Sequence, residues 1–311
     1  MKILITGGAG FLGSVLSNML ARAGNVVRVL DDLSSGDPAT LDRSVHFTRG
    51  DVADVPKLWS LLQSVDCVYH LAARVSVPES VLYPRDYNAT NVGGTVALMQ
   101  AMRDAGVKRV VLASSGAVYG EQSLHTVTEE CAPNPASPYA VSKLSAEYYL
   151  HTIGRLWGIE TVALRIFNAY GPGQQARASH PPVVPAIVRQ ALSGGSVIVH
   201  GSGKQARDFV YVDDVVSALV SASSAVNINR LTLNIGSGRA TSINDLVNAI
   251  GQILGKELNP LHITADTGGV SRMCAEISLA RERLSYIPRV NLEEGLRLFV
   301  SNYSTIANTK P

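Results

Sequence analysis

Short apolar runs rich in β-branched residues recur through the first half of the chain, separated by longer stretches whose apolar residues return at helical spacing. The runs Lys2 to Thr6, Val26 to Asp31, Val45 to Arg49, Cys67 to Leu71, Arg109 to Ala113 and Glu160 to Arg165 are predicted strands. Gly13 to Ala23, Val55 to Ser64, Asn91 to Ala105 and Tyr139 to Leu156 are predicted amphipathic helices. Strands apolar on both faces, alternating with helices, imply a parallel sheet wound by right-handed crossovers, with function at the strands' C-terminal ends. The expected fold is therefore α/β, a Rossmann-type doubly wound parallel sheet.

After Gly171 the pattern shortens, broken by Gly171-Pro172-Gly173, Pro181-Pro182, Gly201-Ser202-Gly203, Gly236-Ser237-Gly238 and Gly268-Gly269. A smaller mixed α/β C-terminal substrate lobe is expected there. Residues 1–171, with a returning segment at about 210–235 that includes Val212 to Ser221, form the dinucleotide domain. Residues from about 172 to 209 and from 236 to 311 form the lobe.

At 311 residues and 46% hydrophobic content, the chain can bury a large core. Its 27 Lys plus Arg against 25 Asp plus Glu, a net charge of +2, offer no basic field for nucleic acid, so small molecules or copies of itself are the expected partners. Cys67, Cys131 and Cys274 are odd in number, widely spaced and without a C-x-x-C pair, which argues against a disulfide framework and a metal site and for free thiols. No apolar stretch approaches the roughly 18 residues of a membrane span, and no secretory pattern opens the chain; a soluble, cytoplasmic protein is expected.

Thr6-Gly7-Gly8-Ala9-Gly10-Phe11-Leu12-Gly13 follows the first strand at once and opens a helix. Gly7 permits the tight turn, Gly10 lets backbone approach a pyrophosphate, and Gly13 lets helix and strand pack closely, while the helix N-terminus offers N–H groups to phosphates. The second strand ends in Asp31-Asp32, about twenty residues on, where an acid accepts the ribose hydroxyls and repels a 2′-phosphate; NAD is expected over NADP. Ser34, Ser35 and Gly36 complete that loop. Asp51-Val52 after the third strand brackets the adenine, although Asp51 alone also reads as a helix cap.

Ser137-Pro138-Tyr139-Ala140-Val141-Ser142-Lys143 opens a long helix and puts Tyr139 and Lys143 on one face. A phenol of pKa about 10 is a poor base at neutral pH, but a neighbouring ammonium and a positive nicotinamide ring favour phenolate, so the pair can take a proton from a carbinol. A hydroxyl from Ser114-Ser115, at the end of a strand, can hydrogen-bond the same oxygen.

Together with His70-Leu71-Ala72-Ala73, Asn91 to Thr95, Ser114 to Gly120, Arg165 to Gly173 and Arg207-Asp208-Phe209-Val210-Tyr211-Val212-Asp213-Asp214, these motifs resemble the extended short-chain dehydrogenase/reductase family, in its nucleotide-sugar epimerase branch, over nearly the whole chain. The resemblance implies Tyr139 as base, Lys143 on the nicotinamide ribose and tuning Tyr139, and Ser115 on the sugar's 4-oxygen. It implies a cofactor site of Gly7, Gly10, Phe11, Leu12, Gly13, Asp31, Asp32, Ser35, Gly36, Asp51, Val52, Leu71, Ala72, Ala73, Tyr139, Lys143 and Phe167. It further implies substrate contacts from Ser115, Tyr139, Asn168, Val184, Val199 and Arg207, with Asn168 and Arg207 near the diphosphate. Val184 and the strand Val197 to His200 line the base pocket, His200 being a wall residue. Asp208, Asp213 and Asp214 are expected to be structural, capping a helix that begins around Val212.

The implied reaction is NAD-dependent 4-epimerisation of a UDP-hexose, plain or N-acetylated, by transient oxidation at C4, in a homodimer joined through the helices Asn91 to Ala105 and Tyr139 to Leu156. Two positions depart from the family. Where 4-epimerases carry the charges of an R-x-G-D stretch, this chain reads Asp266-Thr267-Gly268-Gly269, with Arg272 nearby to supply a phosphate contact; and Gly116 follows Ser115 where dehydratases and decarboxylating relatives carry an acid. The first departure keeps open a 4-keto-6-deoxy nucleotide-sugar reductase using NADH or NADPH, while the second disfavours elimination. A non-catalytic NAD-binding protein is disfavoured by Tyr139, Lys143 and Ser115 occurring together.

Overall fold

The computed structural model of the chain describes residues 1–124, 126–174, 181–264 and 271–308, with side chains as far as 303. In chain order the first half contains β1 (Lys2–Thr6), α1 (Phe11–Arg22), β2 (Val26–Asp31), β3 (His46–Arg49), α2 (Val55–Leu61), β4 (Cys67–His70), α3 (Val77–Leu82), α4 (Pro84–Tyr87), α5 (Gly94–Ala105), β5 (Arg109–Ser115), β6 (Thr126–Val127), α6 (Pro138–Trp157) and β7 (Glu160–Ile166). There follow β8 (Asn168–Tyr170), α7 (Val183–Leu192), β9 (Ile198–His200), β10 (Ala206–Tyr211), α8 (Val212–Ser224), β11 (Leu231–Ile235), β12 (Ala240–Ser242), α9 (Ile243–Leu254), β13 (Leu261–Ile263), β14 (Arg272–Ala275), α10 (Ser278–Leu284) and α11 (Leu292–Asn308).

Seven parallel strands form the large sheet in the order β11-β7-β5-β4-β1-β2-β3. Alternation along β1 sends Ile3 and Ile5 to one face and Leu4 to the other, and all three are buried because helices cover both sides. Leu58 of α2, Leu98 of α5 and Leu150 of α6 pack on the Leu4 face; Leu16 of α1 and Leu219 of α8 pack on the opposite one. Strand order reverses between β1 and β4, opening a crevice at their C-terminal ends. The doubly wound sheet expected from the alternation is the architecture found.

The smaller lobe holds a second sheet, β12-β10-β14-β6, with β8 added to β10, and the separate pair β9–β13. β8 begins one residue after Phe167, so the chain leaves the large sheet and enters the second one within three residues of β7. β11 returns to hydrogen-bond β7 at the edge of the large sheet.

Local chemistry explains the helix that matters most. Ser137 Oγ accepts from Ala140 N at 3.2 Å, Pro138 occupies the first helical position, and Gly158 ends α6 in the left-handed region at φ 66°. Most predicted elements differ from the observed ones by one to three residues at an end, and two of the differences bear on the site. β5 runs two residues further than expected, to Ser115, because both serines keep their pairing with β7. The predicted helix from Asn91 is α5 preceded by a π-helical segment, Asn88–Gly93, a widened turn that periodicity alone does not distinguish.

Three acids expected to cap the helix at Val212 do something else. α8 has Tyr211 at its N-cap with no side-chain cap bond. Asp208, fully buried, accepts from Ser237 N at 2.7 Å, Ser237 Oγ at 2.6 Å, Gly238 N at 3.0 Å and Ala275 N at 3.0 Å, tying the loop after β11 to β10 and β14. Asp214 accepts from Arg289 N and Val290 N, holding the segment ahead of α11, and Asp213 is exposed. Asp208 and Asp214 are structural by bridging segments distant in sequence, which local helix-cap reasoning does not see.

Candidate active site

The crevice between β1 and β4 has a floor of backbone. A Cβ on Gly7 would lie 2.5 Å from Ala72 N, and one on Gly13 only 2.1 Å from Gly7 O, so both close contacts require glycine. At Gly10, the N-cap of α1, a Cβ would meet Gly7 O at 3.3 Å and nothing nearer. The space on that side is open, and no side chain caps the helix N-terminus, which leaves its first N–H groups facing the crevice. This fits a pyrophosphate with the helix start at Phe11, Leu12 and Gly13.

Asp31 closes one end of the crevice. Its Oδ2 accepts from Ala9 N and its Oδ1 from Leu33 N, each at 2.9 Å, and its pKa is raised, chiefly by burial, against the pull of these bonds. The carboxylate anchors the glycine loop and retains a further lone pair on each oxygen for a ribose hydroxyl. Asp32 accepts from Ser34 N, and Gly36 packs so close to Ala9 that a Cβ would approach it to 3.0 Å, folding the loop with Ser35 over the glycine turn. At the next strand end Asp51 accepts from Ala53 N, while the N-cap of α2 is Asp54, which accepts from Lys57 N. The cap alternative for Asp51 is therefore corrected to its neighbour three residues on. Val52 is buried against Gly94 of α5, so its side chain serves packing.

On the other wall Leu71 N donates to Thr6 O, and Ala72 and Ala73 continue past the sheet. Behind them His70 is fully enclosed: Nε2 meets Thr95 Oγ1 at 3.0 Å and Nδ1 meets Thr6 Oγ1 at 2.7 Å. Thr95 Oγ1 donates to Asn91 O, so it accepts from Nε2–H, and Thr6 donates to Nδ1; the ring is the neutral Nε2–H tautomer. Burial, with help from the Lys143 charge, holds His70 down to about 3. The unfolded chain, titrating near 6.5, binds more protons between those values, so this residue makes stability fall as pH drops from about 6.5 towards 3, by about 1.4 kcal/mol per pH unit. Denaturant melts of the protein and of His70→Gln at pH 6.5 and 4.5 are expected to show the steeper loss in the unsubstituted protein; equal slopes would remove the assignment.

Tyr139, Lys143 and Ser115 come together where β5 meets α6. Tyr139 is buried, with its ring edge-on to Tyr87 at 6.4 Å, and its pKa is raised by burial while a hydrogen bond from Ser115 lowers it. Lys143 Nζ donates to Ala113 O at 2.7 Å, and burial pulls its pKa down to about 8 against the support of Glu147. In the protein alone burial of the phenol raises its pKa, and the positive ring of an oxidised nicotinamide is a charge still to be added. Asn91, from the π-helical segment, locks this helix in place: its Nδ2 donates to Ser142 Oγ at 2.8 Å and to Arg74 O, while its Oδ1 accepts from Arg74 N.

Gly116 follows Ser115, and a Cβ there would lie 3.1 Å from the Phe167 ring. Beyond Phe167 opens a cavity of about 350 Å³ lined by Asn168, Val184, Val199, His200, Arg207 and Phe209, among others. Four of the sequence-predicted substrate residues therefore share one cavity, and Ser115 lies in register with Ile166, the residue before Phe167. The Arg207 guanidinium is largely buried, which lowers its pKa, with Glu121 opposing that effect. Arg272 is exposed at the start of β14 and does not line the cavity. The stretch Asp266-Thr267-Gly268-Gly269 lies outside the described residues. Among the described residues no cluster of three or more His, Cys, Asp or Glu is placed to hold a metal ion, Cys67, Cys131 and Cys274 are free thiols, and no helix is long and apolar enough to cross a membrane.

In the sequence Asn91 is marked as part of the motif Asn91 to Thr95, without a role, and Glu147 is not marked at all, although the interval from Tyr139 to Lys143 repeats at Glu147 on the same helix face.

Residues 3–236 match the NAD dependent epimerase/dehydratase family. The chain is similar to the UDP-glucose 4-epimerase of Mycolicibacterium smegmatis, 36% identical over 303 residues that cover 95% of this chain and 96% of that one. Its structure is similar to the crystal structure of the UDP-glucose 4-epimerase of Thermotoga maritima with UDP-glucose, at a TM-score of 0.95 and 36% identity, covering 99% of this chain and 100% of that one. It is also similar to the UDP-N-acetylglucosamine 4-epimerase of Methanobrevibacter ruminantium in complex with UDP-N-acetylmuramic acid, at a TM-score of 0.93 and 32% identity over 98% of each chain.

Proposed function

The chain belongs to the NAD dependent epimerase/dehydratase family, whose enzymes are NAD-dependent, and we propose that it is a nucleotide-sugar 4-epimerase acting on a UDP-hexose. The observation that supports the proposal is that Ser115 is hydrogen-bonded to Tyr139 and Lys143 reaches Ala113 O on the same strand, while Asn168, two residues beyond the end of β7, shares a cavity with Arg207. A sugar whose diphosphate lies against Asn168 and Arg207 places its ring towards Phe167 and Tyr139.

NAD, when bound in the crevice over Gly7 to Gly13 and Asp31, supplies a hydride acceptor that gives the hydride back to the same carbon. This chain's residues do the rest. Tyr139, as phenolate, removes the proton of the 4-hydroxyl and later returns it; Ser115 hydrogen-bonds the 4-oxygen in both states; Lys143 holds the nicotinamide ribose and adds positive charge beside Tyr139. Hydride return to the other face requires the 4-keto sugar to turn over, so firm contacts belong at the diphosphate and loose ones at the ring. Elimination has no support at Gly116, where the Phe167 ring leaves little space for an acidic side chain.

The purified protein incubated with UDP-galactose and, separately, UDP-N-acetylgalactosamine is expected to form the gluco epimer of one or both with no cofactor added, followed by proton NMR. No conversion even with NAD supplied would overturn the proposal and direct attention to 4-keto-6-deoxy sugar nucleotides with NADH or NADPH. Arg207→Ala is expected to raise KM by about 10- to 100-fold with kcat within a few-fold, because a charge-assisted phosphate contact is made equally in ground and transition states. A large fall in kcat at unchanged KM would move Arg207 out of diphosphate binding.

The homodimer has support in an exposed apolar stripe on α6, Val141, Tyr148, Tyr149 and Leu156, beside Val81, Leu82 and Tyr83. Light scattering is expected to give twice the mass of one chain, and Tyr148→Arg with Tyr149→Arg to give one.

A further inference from the structure

Ionised groups taken out of water need partners, so the charges buried in this molecule identify what the fold protects. Lys143 and Glu147 are 4% and 2% exposed and stand one turn apart on the face of α6 that carries Tyr139. Glu147 Oε1 accepts from Ser114 Oγ at 2.5 Å and Arg165 Nε at 3.1 Å, and Oε2 accepts from Arg165 Nη2 at 2.8 Å. Ser114 is the residue before Ser115 on β5, and Arg165 lies two residues before Phe167 on β7. The Arg165 guanidinium also covers the Tyr119 ring at 4.7 Å, and Tyr119 donates to Asn234 Oδ1. One carboxylate thus ties α6 to the strand that ends in Ser115 and to the strand that leads to Phe167, and it is not among the residues that line the cavity.

We propose that Glu147 is a positioning residue: held by Ser114 and Arg165 and one helical turn from Lys143, its carboxylate registers α6 against β5 and β7 and sets the electrostatic surroundings of Lys143. The kinetic side of this rests on the epimerase reading, whereas the charge on Lys143 is measurable without substrate. The groups facing the Lys143–Glu147 pair are Tyr139 and His151 on α6, His70 on β4, the Ser114 hydroxyl and Ala113 carbonyl on β5, Arg165 on β7, Tyr119 after β5, Tyr87 of α4 against Tyr139, and Glu129 in the loop after β6, whose carboxylate accepts from Asn234 N. Of the two carboxylates in that set, Glu147 is the one that supports the Lys143 charge against its burial. Removing it also leaves the Arg165 guanidinium unopposed, which acts on Lys143 in the same direction.

The test is the pH titration of the Lys143 ¹³Cε resonance in lysine-labelled protein, assigned with Lys143→Arg, alongside kcat and KM against pH. In Glu147→Gln the Lys143 midpoint is expected to fall by about one pH unit or more from its value near 8, and kcat at pH 8 to fall about tenfold with KM little changed, whereas Glu147→Asp keeps the midpoint near the original. Should the single variant unfold through its unpaired guanidinium, Glu147→Gln with Arg165→Met removes the pair together and is still expected to lower the midpoint. A folded variant of either kind in which Lys143 titrates as before, with only the melting temperature reduced, would overturn the proposal and leave Glu147 a stabilising ion-pair partner. A shifted midpoint in a protein that epimerises no UDP-hexose would uphold the charge assignment and refute the reaction instead.

Discussion

Tyr139→Phe is expected to lower kcat by about a thousandfold while leaving KM and the melting temperature close to those of the unsubstituted protein. The substitution removes one oxygen. The ring keeps its edge-on contact with Tyr87, and the cap of α6 at Ser137 is untouched. What disappears is the group, hydrogen-bonded to Ser115, that is assigned to take the 4-hydroxyl proton. Serine cannot substitute, because a hydroxyl of ordinary acidity is a weaker base than a phenolate set beside an ammonium and a cationic ring. Ser115→Ala should be milder, about 10- to 100-fold in kcat, since it removes a hydrogen bond to the reacting oxygen but no proton acceptor. Near-normal turnover in Tyr139→Phe would dismiss the assignment of the base.

The second large effect separates two glycines three residues apart. Gly13→Ala places a methyl 2.1 Å from Gly7 O and 2.7 Å from Gly8 Cα, against backbone on both sides, so the strand-to-helix turn must open; a loss of about 2–3 kcal/mol and of nearly all bound cofactor is expected. Gly10→Ala meets only Gly7 O at 3.3 Å, so the protein should melt close to its usual temperature. Its methyl instead fills the open side of the helix N-terminus, where a pyrophosphate would approach, and cofactor content should fall as sharply as in Gly13→Ala. Absorbance of released nucleotide after acid precipitation, beside the two melting curves, reads both. Full cofactor content in Gly10→Ala would place the dinucleotide elsewhere.

The parts of the fold readable from the chain were those set by local repetition. β1 and β2 lie where the apolar runs put them, and α6 differs from its expected span by one residue at each end, because Ser137, Pro138 and Gly158 mark its limits chemically. The glycine loop, Asp31, Tyr139 and Lys143 were legible for the same reason: spacing along a strand, loop or helix fixes their relative placement. Features that depend on distant segments were not. Asp208 looked like a helix cap from its neighbours, yet its partners are Ser237, Gly238 and Ala275. Glu147 carried no signal along the chain, because its partners Arg165, eighteen residues on, and Ser114, thirty-three residues back, meet it only in the fold. Gly116 read as a missing acid; the Phe167 ring, arriving from β7, supplies the reason for its size.

The most direct test of the central claim is a single isotope experiment: UDP-galactose carrying deuterium at C4, incubated with the purified protein and no added cofactor. A C4 hydrogen that leaves and returns within one bound complex predicts UDP-glucose with the deuterium still at C4 and none acquired from solvent when the label is placed in the water instead. Deuterium lost from C4, or product formed only in proportion to added reduced cofactor, would contradict transient oxidation at C4 and favour the reductase.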